Sequence, residues 1–328
     1  MKIAVDAMGG DLAPAAVVEG AYKAVREYNL EVLLVGRSSQ IGPLLDKLGA
    51  PHAGLEIIDA PDVVEMHDEP AQAVRRKKGA SLVVCADLVK EGRAAAMFSA
   101  GNTGAAVAVA TLRLGRIPGI DRPAIASLLP NRNGWTVLLD AGATKDGEPH
   151  YLLQNALMGS IYAHELLDIR QPRVGLVNIG EEEGKGNKLV REAFPLLQAA
   201  PIHFIGNVEG PDLFNGRVDV AVCDGFTGNV ILKVGEGVAD LVMNLIRDEV
   251  DRQPILKFPA ALIKPAFSRI RRRTDYGERG GAPLLGVNGV CIIGHGRSNA
   301  VAVANAIRTA GEAVRHGIID KIRDRVAH

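Results

Sequence analysis

Short apolar runs of strand length alternate along this chain with longer segments of helical periodicity, and most of the runs lead into a turn that contains glycine. Residues 2–6 (KIAVD), 31–36 (EVLLVG), 55–59, 95–99 (AAMFS), 173–178, 202–206, 218–223 and 290–294 (VCIIG) read as buried strands. Helical patterns follow at about 14–28, with Pro14 at a favoured first position, and after Ser38, which is placed as a cap. Further helices are expected at 69–78, 81–91, from Thr103, at 150–168, from Thr227 to about 250, and from Asn299. Residues 125–129 and 135–140, joined by a turn at 131–134 (NRNG), predict an antiparallel pair. Strand, glycine turn and helix in repetition predict an α/β fold of three layers, a doubly wound, mostly parallel mixed sheet covered on both faces. The chain is read as a single α/β domain over 1–328 with a helical hairpin-like insertion at about 250–275. A division into two lobes fits the pattern, although composition marks no boundary.

Composition sharpens this picture. Apolar residues make up 47% and aromatic residues 4%, with 37 glycines, which suits Val/Ile/Leu packing around many tight turns. Lysine plus arginine equals aspartate plus glutamate at 38 each, so no global field points to nucleic acid. Cys85, Cys223 and Cys291 are far apart and lie in apolar runs, with neither zinc spacing nor a disulfide framework; core packing is their expected role. The N-terminus enters a strand pattern without a signal peptide, and no apolar run is long enough to span a bilayer, so a soluble chain is expected.

In open α/β sheets ligands bind beyond the carboxyl ends of the strands. Seven such ends carry glycine beside short polar side chains: Asp6 and Asp11 around Gly9 and Gly10; Ser99, Asn102 and Thr103; Asp140; Asn178; Asn207; Asp224 with Gly228 and Asn229; and His295 with Ser298. Any one of these alone is an ordinary turn or helix cap. Together they predict an anion site built from backbone N–H groups and helix N-termini. The stretch 219–233 (DVAVCDGFTGNVILK) is the clearest case, with Asn229 in the first turn of its helix. Lys185, between two glycines in 178–188 (NIGEEEGKGNK), is placed to reach a phosphate or to be a solvated loop lysine. Phosphate-loop, dinucleotide and nucleophile-elbow motifs are absent, and Asp and His show no metal-ligand spacing. No metal or cofactor is expected. The basic run 75–78 (RRKK) ordinarily just complements a helix C-terminus.

DAMGGD at Asp6, SAGNTGA at Ser99, NIGEE at Asn178, GNVEG at Gly206, DGFTGNVILK at Asp224 and GGAPLLGVNG at Gly280 occur in order over the whole chain. Together they resemble the bacterial phosphate acyltransferases of phospholipid synthesis, the PlsX family. The resemblance implies a fold like that of isocitrate and isopropylmalate dehydrogenases. It implies conversion of acyl-[acyl carrier protein] and inorganic phosphate to acyl phosphate and free carrier protein, the product passing to the membrane enzyme that acylates glycerol 3-phosphate. It also implies a cytoplasmic homodimer associated peripherally with the inner face of the membrane. Lys185 and Asn229 would be catalytic. Asp6, Gly9, Gly10, Ser99, Asn102, Thr103, Asp140, Asn178, Asp224, Gly228 and His295 would bind substrate. A coenzyme A-dependent phosphotransacetylase, a dehydrogenase and a non-catalytic membrane-docking scaffold for lipid enzymes are the competing readings.

Residues 252–273 (RQPILKFPAALIKPAFSRIRRR) hold seven Lys/Arg and no acidic residue. Leu262 and Phe267 suit a membrane contact, and Arg271, Arg272 and Arg273 suit an anionic surface or an acidic carrier protein. A dimer interface or a core-packed helix fits the same pattern.

Overall fold

The computed structural model describes residues 1–49, 53–253, 265–266 and 280–326. The strands are β1 (Lys2–Asp6), β2 (Glu31–Gly36), β3 (Leu55–Asp59), β4 (Ala96–Ser99), β5 (Ala124–Ile125), β6 (Ser127–Asn131), β7 (Gly134–Leu139), β8 (Arg173–Val177), β9 (His203–Val208), β10 (Val220–Val222), β11 (Ala282–Leu285) and β12 (Val290–Ile293). The helices are α1 (Ala15–Tyr28), α2 (Ser38–Lys47), α3 (Pro70–Arg76), α4 (Ser81–Lys90), α5 (Thr103–Val109), continued by a π-helical turn at Ala110–Leu114, α6 (Pro149–Leu167), α7 (Lys188–Ala199), α8 (Asp212–Asn215), α9 (Gly225–Arg252), α10 (Ala300–Arg315) and α11 (Ile318–Val326).

The α/β layering is as expected, with the strands divided between two sheets. One has the order β3-β2-β1-β4-β12-β11-β5, the other β6-β7-β10-β8-β9. Each is mostly parallel: β11 opposes its neighbours in the first, and β6 pairs antiparallel with β7 in the second. Strand alternation sorts side chains to opposite faces. Ile3 and Val5 of β1 pack with Val17 and Val18 of α1 and Val303 and Ile307 of α10; Ala4 faces the other way, among Leu82 and Val83 of α4. The first of these cores continues without a break to Val137, Leu139, Val174 and Leu176 of the second sheet and to α6 and α7. A third, smaller core holds Leu138, Ala221 and Cys223 under Ile231 and Leu232 of α9.

The sheets meet along one stretch of chain. β5 is an edge of the first and β6 an edge of the second, with only Ala126 between them. The Ala126 N–H donates to the Pro283 carbonyl, and Ala141 N–H to that of Ile125, both at 2.9 Å.

Several details differ from the sequence reading. Ser38 is the first residue of α2 rather than its cap, and its N–H donates to Asp59 Oδ1 at 2.9 Å. Pro14 stands one position before α1, and Glu69 caps α3, accepting from Ala71 and Gln72 N–H. Helix α7 and strand β11 were not expected. Among the described residues no helix is long and apolar enough to cross a membrane.

Candidate active site

The expected strand-end residues divide between the sheets. Asp6 and Ser99 end β1 and β4, and His295 follows β12; Asp140, Asn178 and Asp224 follow β7, β8 and β10, with Asn207 near the end of β9.

In the second sheet, β10 runs through Cys223 into α9. Asp224 caps that helix: Oδ1 accepts from Thr227 N–H at 2.9 Å and Oδ2 from the Thr227 hydroxyl at 2.7 Å. The helix start is pressed onto the loop after β7. Gly225 N–H donates to the Thr144 carbonyl at 3.0 Å, and a side chain on Gly228 would overlap the Asp140 carbonyl. Glycine at 228 is what permits this approach. Half-buried Asn229 lies beside Gly142, where an added Cβ would come to 3.5 Å from the Asn229 Cγ. Of the first-turn N–H groups of α9, those of Gly225, Thr227 and Gly228 are taken by the Thr144 carbonyl and by Asp224, so the Asn229 side-chain amide and the positive end of a 28-residue helix are what this point offers an anion.

The Asp140 carboxylate shapes the loop from beneath. It accepts from Ile125 N–H at 3.0 Å, Gly142 and Ala143 N–H at 2.9 Å, and Thr144 N–H at 2.7 Å. Burial pushes its pKa up, and these four donors oppose the shift. The loop also touches the start of the next helix: Gly147 has room only for hydrogen between Leu189 of α7 and Asp224. Lys185, just ahead of α7, is exposed, and its stem runs alongside Gly180. The start of α7, shortly past Lys185, and the cap residue of α9 therefore meet at the same residue, Gly147.

In the first sheet Asp6 plays the part of Asp140. It is buried and accepts from the Ser81 hydroxyl at 2.6 Å, the Ser99 hydroxyl at 2.7 Å and Met8 N–H at 3.2 Å. Burial pushes its pKa up against those donors. Gly9 rests on this group, with no room for a Cβ between Asp6, Ser99 and Gly101. Gly10 (φ +112°) faces the Gly296 and Ala100 carbonyls, and Asp11 N–H donates to Gly296 at 2.7 Å. Asn102 caps α5 through Ala105 N–H at 3.0 Å and donates to the Met66 carbonyl at 2.9 Å, leaving Thr103 exposed at the helix start. Exposed His295 accepts from Arg297 N–H through Nδ1 at 3.2 Å, and Ser298 is buried. Glu236 on α9 is half-buried. Burial pushes its pKa up, and His295 acts in the opposite sense.

Asp6 and Asp140 thus spend their oxygens on the protein's own donors, while Asn229, Lys185, Thr103 and His295 stand at the surface of the loops. Sequence reasoning missed Ser81 and Glu236; Ser81 is 75 positions from Asp6, and no local spacing relates them. The three cysteines are buried and their thiols pushed up by burial, that of Cys291 to about 12. Among the described residues no three His, Cys, Asp or Glu gather as a metal site would require. Leu262, Phe267, Arg271, Arg272 and Arg273 lie outside the described residues.

A family model described as fatty acid synthesis protein matches residues 1–321. A phosphate acyltransferase of Pelotomaculum thermopropionicum is 52% identical over 328 residues, covering 99% of this chain and 95% of its own length. One from Heliobacterium modesticaldum is 53% identical over 327 residues, covering 99% and 98%. Among solved structures, the EutD phosphotransacetylase from Staphylococcus aureus superposes with a TM-score of 0.65 at 16% identity, over 96% of this chain and 94% of that one. A 4-hydroxythreonine-4-phosphate dehydrogenase from Klebsiella pneumoniae gives 0.56 at 14% identity, over 96% and 99%. At these identities the likeness is one of fold.

Proposed function

The chain belongs to the fatty acid synthesis protein family and is a phosphate-using acyltransferase, and from that premise we propose that it converts acyl-[acyl carrier protein] and inorganic phosphate to acyl phosphate and free carrier protein. The observation that carries this reading is the α9 N-terminus, with Asn229 in its first turn, apposed to the 140–144 loop, and near Gly147 to the start of α7, which follows the Lys185 loop. Such an end offers a favourable dipole to an anion, and the Asn229 amide adds a donor beside it. Lys185 adds a full positive charge.

A phosphate oxygen attacks the thioester carbonyl carbon; the C–O bond forms, and the C–S bond breaks as the carrier thiolate leaves. The Asn229 amide donates to the carbonyl oxygen as it gains charge, or orients the phosphate. Holding two reactants in line supplies much of the rate, so no protein nucleophile is needed. The buried, high-pKa cysteines fit that economy. A thiol of pKa about 8.5 leaves readily, so His295 has little to add as an acid. Asp6 and Asp140 set the loops, while Gly9, Gly10, Gly228, Ser99, Asn102, Thr103, Asn178 and Asp224 present or support donors around the substrate.

The test is the purified protein with acyl-carrier thioester. Thioester loss that requires phosphate and yields acyl phosphate is the expected result. No reaction with the carrier thioester, together with turnover of the coenzyme A thioester, would replace this reading by the phosphotransacetylase one. No turnover of either would leave a scaffold.

The two sheets are read as lobes of one catalytic unit, with the insertion at about 250–275 as its docking element. A homodimer is supported by α9, where Phe226, Val230, Val234, Val238, Leu241 and Leu245 form an exposed stripe at helical spacing. Acyl phosphate is reactive and carries a greasy tail, so release at the inner membrane surface, to the glycerol-3-phosphate acyltransferase, suits the product. The cationic, apolar stretch 252–273 is the segment suited to that contact and to the acidic carrier protein.

A further inference from the structure

We infer that Asn207 is a positioning residue for Lys185, acting with Asn178 as a two-point clamp on the turn that carries it. This inference rests on Lys185 as the phosphate-binding cation. Asn178 and Asn207 come from adjacent parallel strands, β8 and β9, and the ladder continues to them through Asn178 N–H and the Val208 carbonyl at 2.9 Å. Asn207 Nδ2 donates to the Glu182 carbonyl at 2.9 Å, the same oxygen that accepts Lys185 N–H at 3.1 Å. Asn178 Nδ2 donates to the Lys185 carbonyl at 3.1 Å, while its Oδ1 accepts from Ile179 N–H at 2.8 Å. The Lys185 backbone is therefore pinned on both sides by side-chain amides rooted in the sheet. Gly186 (φ +90°) leaves the space in which Asn178 reaches across, since a Cβ there would overlap its Oδ1. Gly180 supports the lysine stem, with an added Cβ at 3.3 Å from the Lys185 Cγ.

A purely structural role explains Asn207 poorly. The residue is 2% exposed, yet its Oδ1 accepts no hydrogen bond, a disposition buried polar groups generally avoid. An apolar residue would pack at β9 without burying an unmatched acceptor. What it would not do is hold the Glu182 carbonyl, and with it the position of an otherwise exposed lysine. Misplacing a substrate-holding group by about 1 Å is enough to cost on the order of 10²-fold in rate.

The experiment is steady-state kinetics on the full chain with inorganic phosphate and acyl-carrier thioester, for Asn207→Ala and for the nearly isosteric Asn207→Asp, each alone and combined with Lys185→Ala. Asn207→Asp guards against a packing defect, because it keeps the shape and, when ionised, lacks the donor. The expected result is a fall of about 10²-fold in kcat/KM for phosphate, with KM for the thioester unchanged. In the Lys185→Ala background, adding either Asn207 change should alter the rate by less than about twofold, because the two residues act as one unit. Either of two results overturns the clamp: phosphate kinetics near wild type in a folded Asn207→Asp protein, or an Asn207 effect that multiplies in full on Lys185→Ala. Full activity of Lys185→Ala alone is a separate outcome that removes the premise about the lysine itself.

Discussion

Asp6 keeps a carboxyl group in a place almost closed to water, surrounded only by donors. Its pKa is raised in the fold by burial. The stabilising contribution of such a group is complete below the ordinary value of 3.8 and is lost as pH rises through the raised folded value. Asp6→Asn has no such dependence. The stability gap between wild type and Asp6→Asn should therefore widen as pH is lowered from neutral towards 4, as measured by denaturant unfolding at several pH values. A gap independent of pH would show that the burial penalty is already cancelled by Ser81, Ser99 and Met8. At the exposed end of the site, Lys185→Ala and Asn229→Ala should each lower turnover by about 10²–10³-fold with melting temperature little changed, as expected for lost electrostatic donors. Near-normal turnover in both would move the site elsewhere.

The start of α9 is the element on which the site depends. Gly228→Ala forces a methyl group into the Asp140 carbonyl, backbone against backbone, and overpacking of this kind costs about 1–3 kcal/mol. It should also push Asn229 away from Gly142, so turnover falls further than stability alone explains. Gly235→Ala, in the same helix, would meet only the tip of Phe214 at 3.8 Å and should leave the protein as stable or slightly more so. Comparing thermal melts and turnover of the two variants checks both statements. Elements of this kind were legible in the sequence because a strand run, an Asp-Gly break and a helical period follow one another directly. Helix α7 was hidden because Pro195 falls inside it and a charged glycine loop precedes it, both of which read as breakers. Strand β11 was hidden by Gly280, Gly281 and Pro283, although it lies between β12 and β5. The loops holding Asp140 and Asp224 could be named in sequence. Their contact could not, since it depends on Gly228 meeting Asp140 and Gly142 meeting Asn229 across two strands.

For the whole molecule, α9 presents more apolar surface than a solitary helix should. If this stripe is the proposed dimer interface, Leu241→Glu with Leu245→Glu converts a dimer to a monomer in sedimentation while leaving both sheets folded; an unchanged assembly would place the interface elsewhere. Leu262→Glu with Phe267→Glu is expected to release the protein from anionic vesicles in a flotation assay and to leave the carrier-dependent reaction in solution measurable. Normal vesicle binding would exclude 252–273 as the membrane contact. The span through Ala126 has a further effect. Residues at a sheet's edge usually trade their amide protons with solvent early, since fraying is enough to expose them. Ile125 belongs to an edge strand, and Ala126 and Ala141 lie in the connections beside it, yet all three are buried where the two sheets adjoin. Deuterium is expected to reach those three amides only when the two sheets part, so their exchange, measured by mass spectrometry or NMR, should time that parting rather than the loosening of a strand.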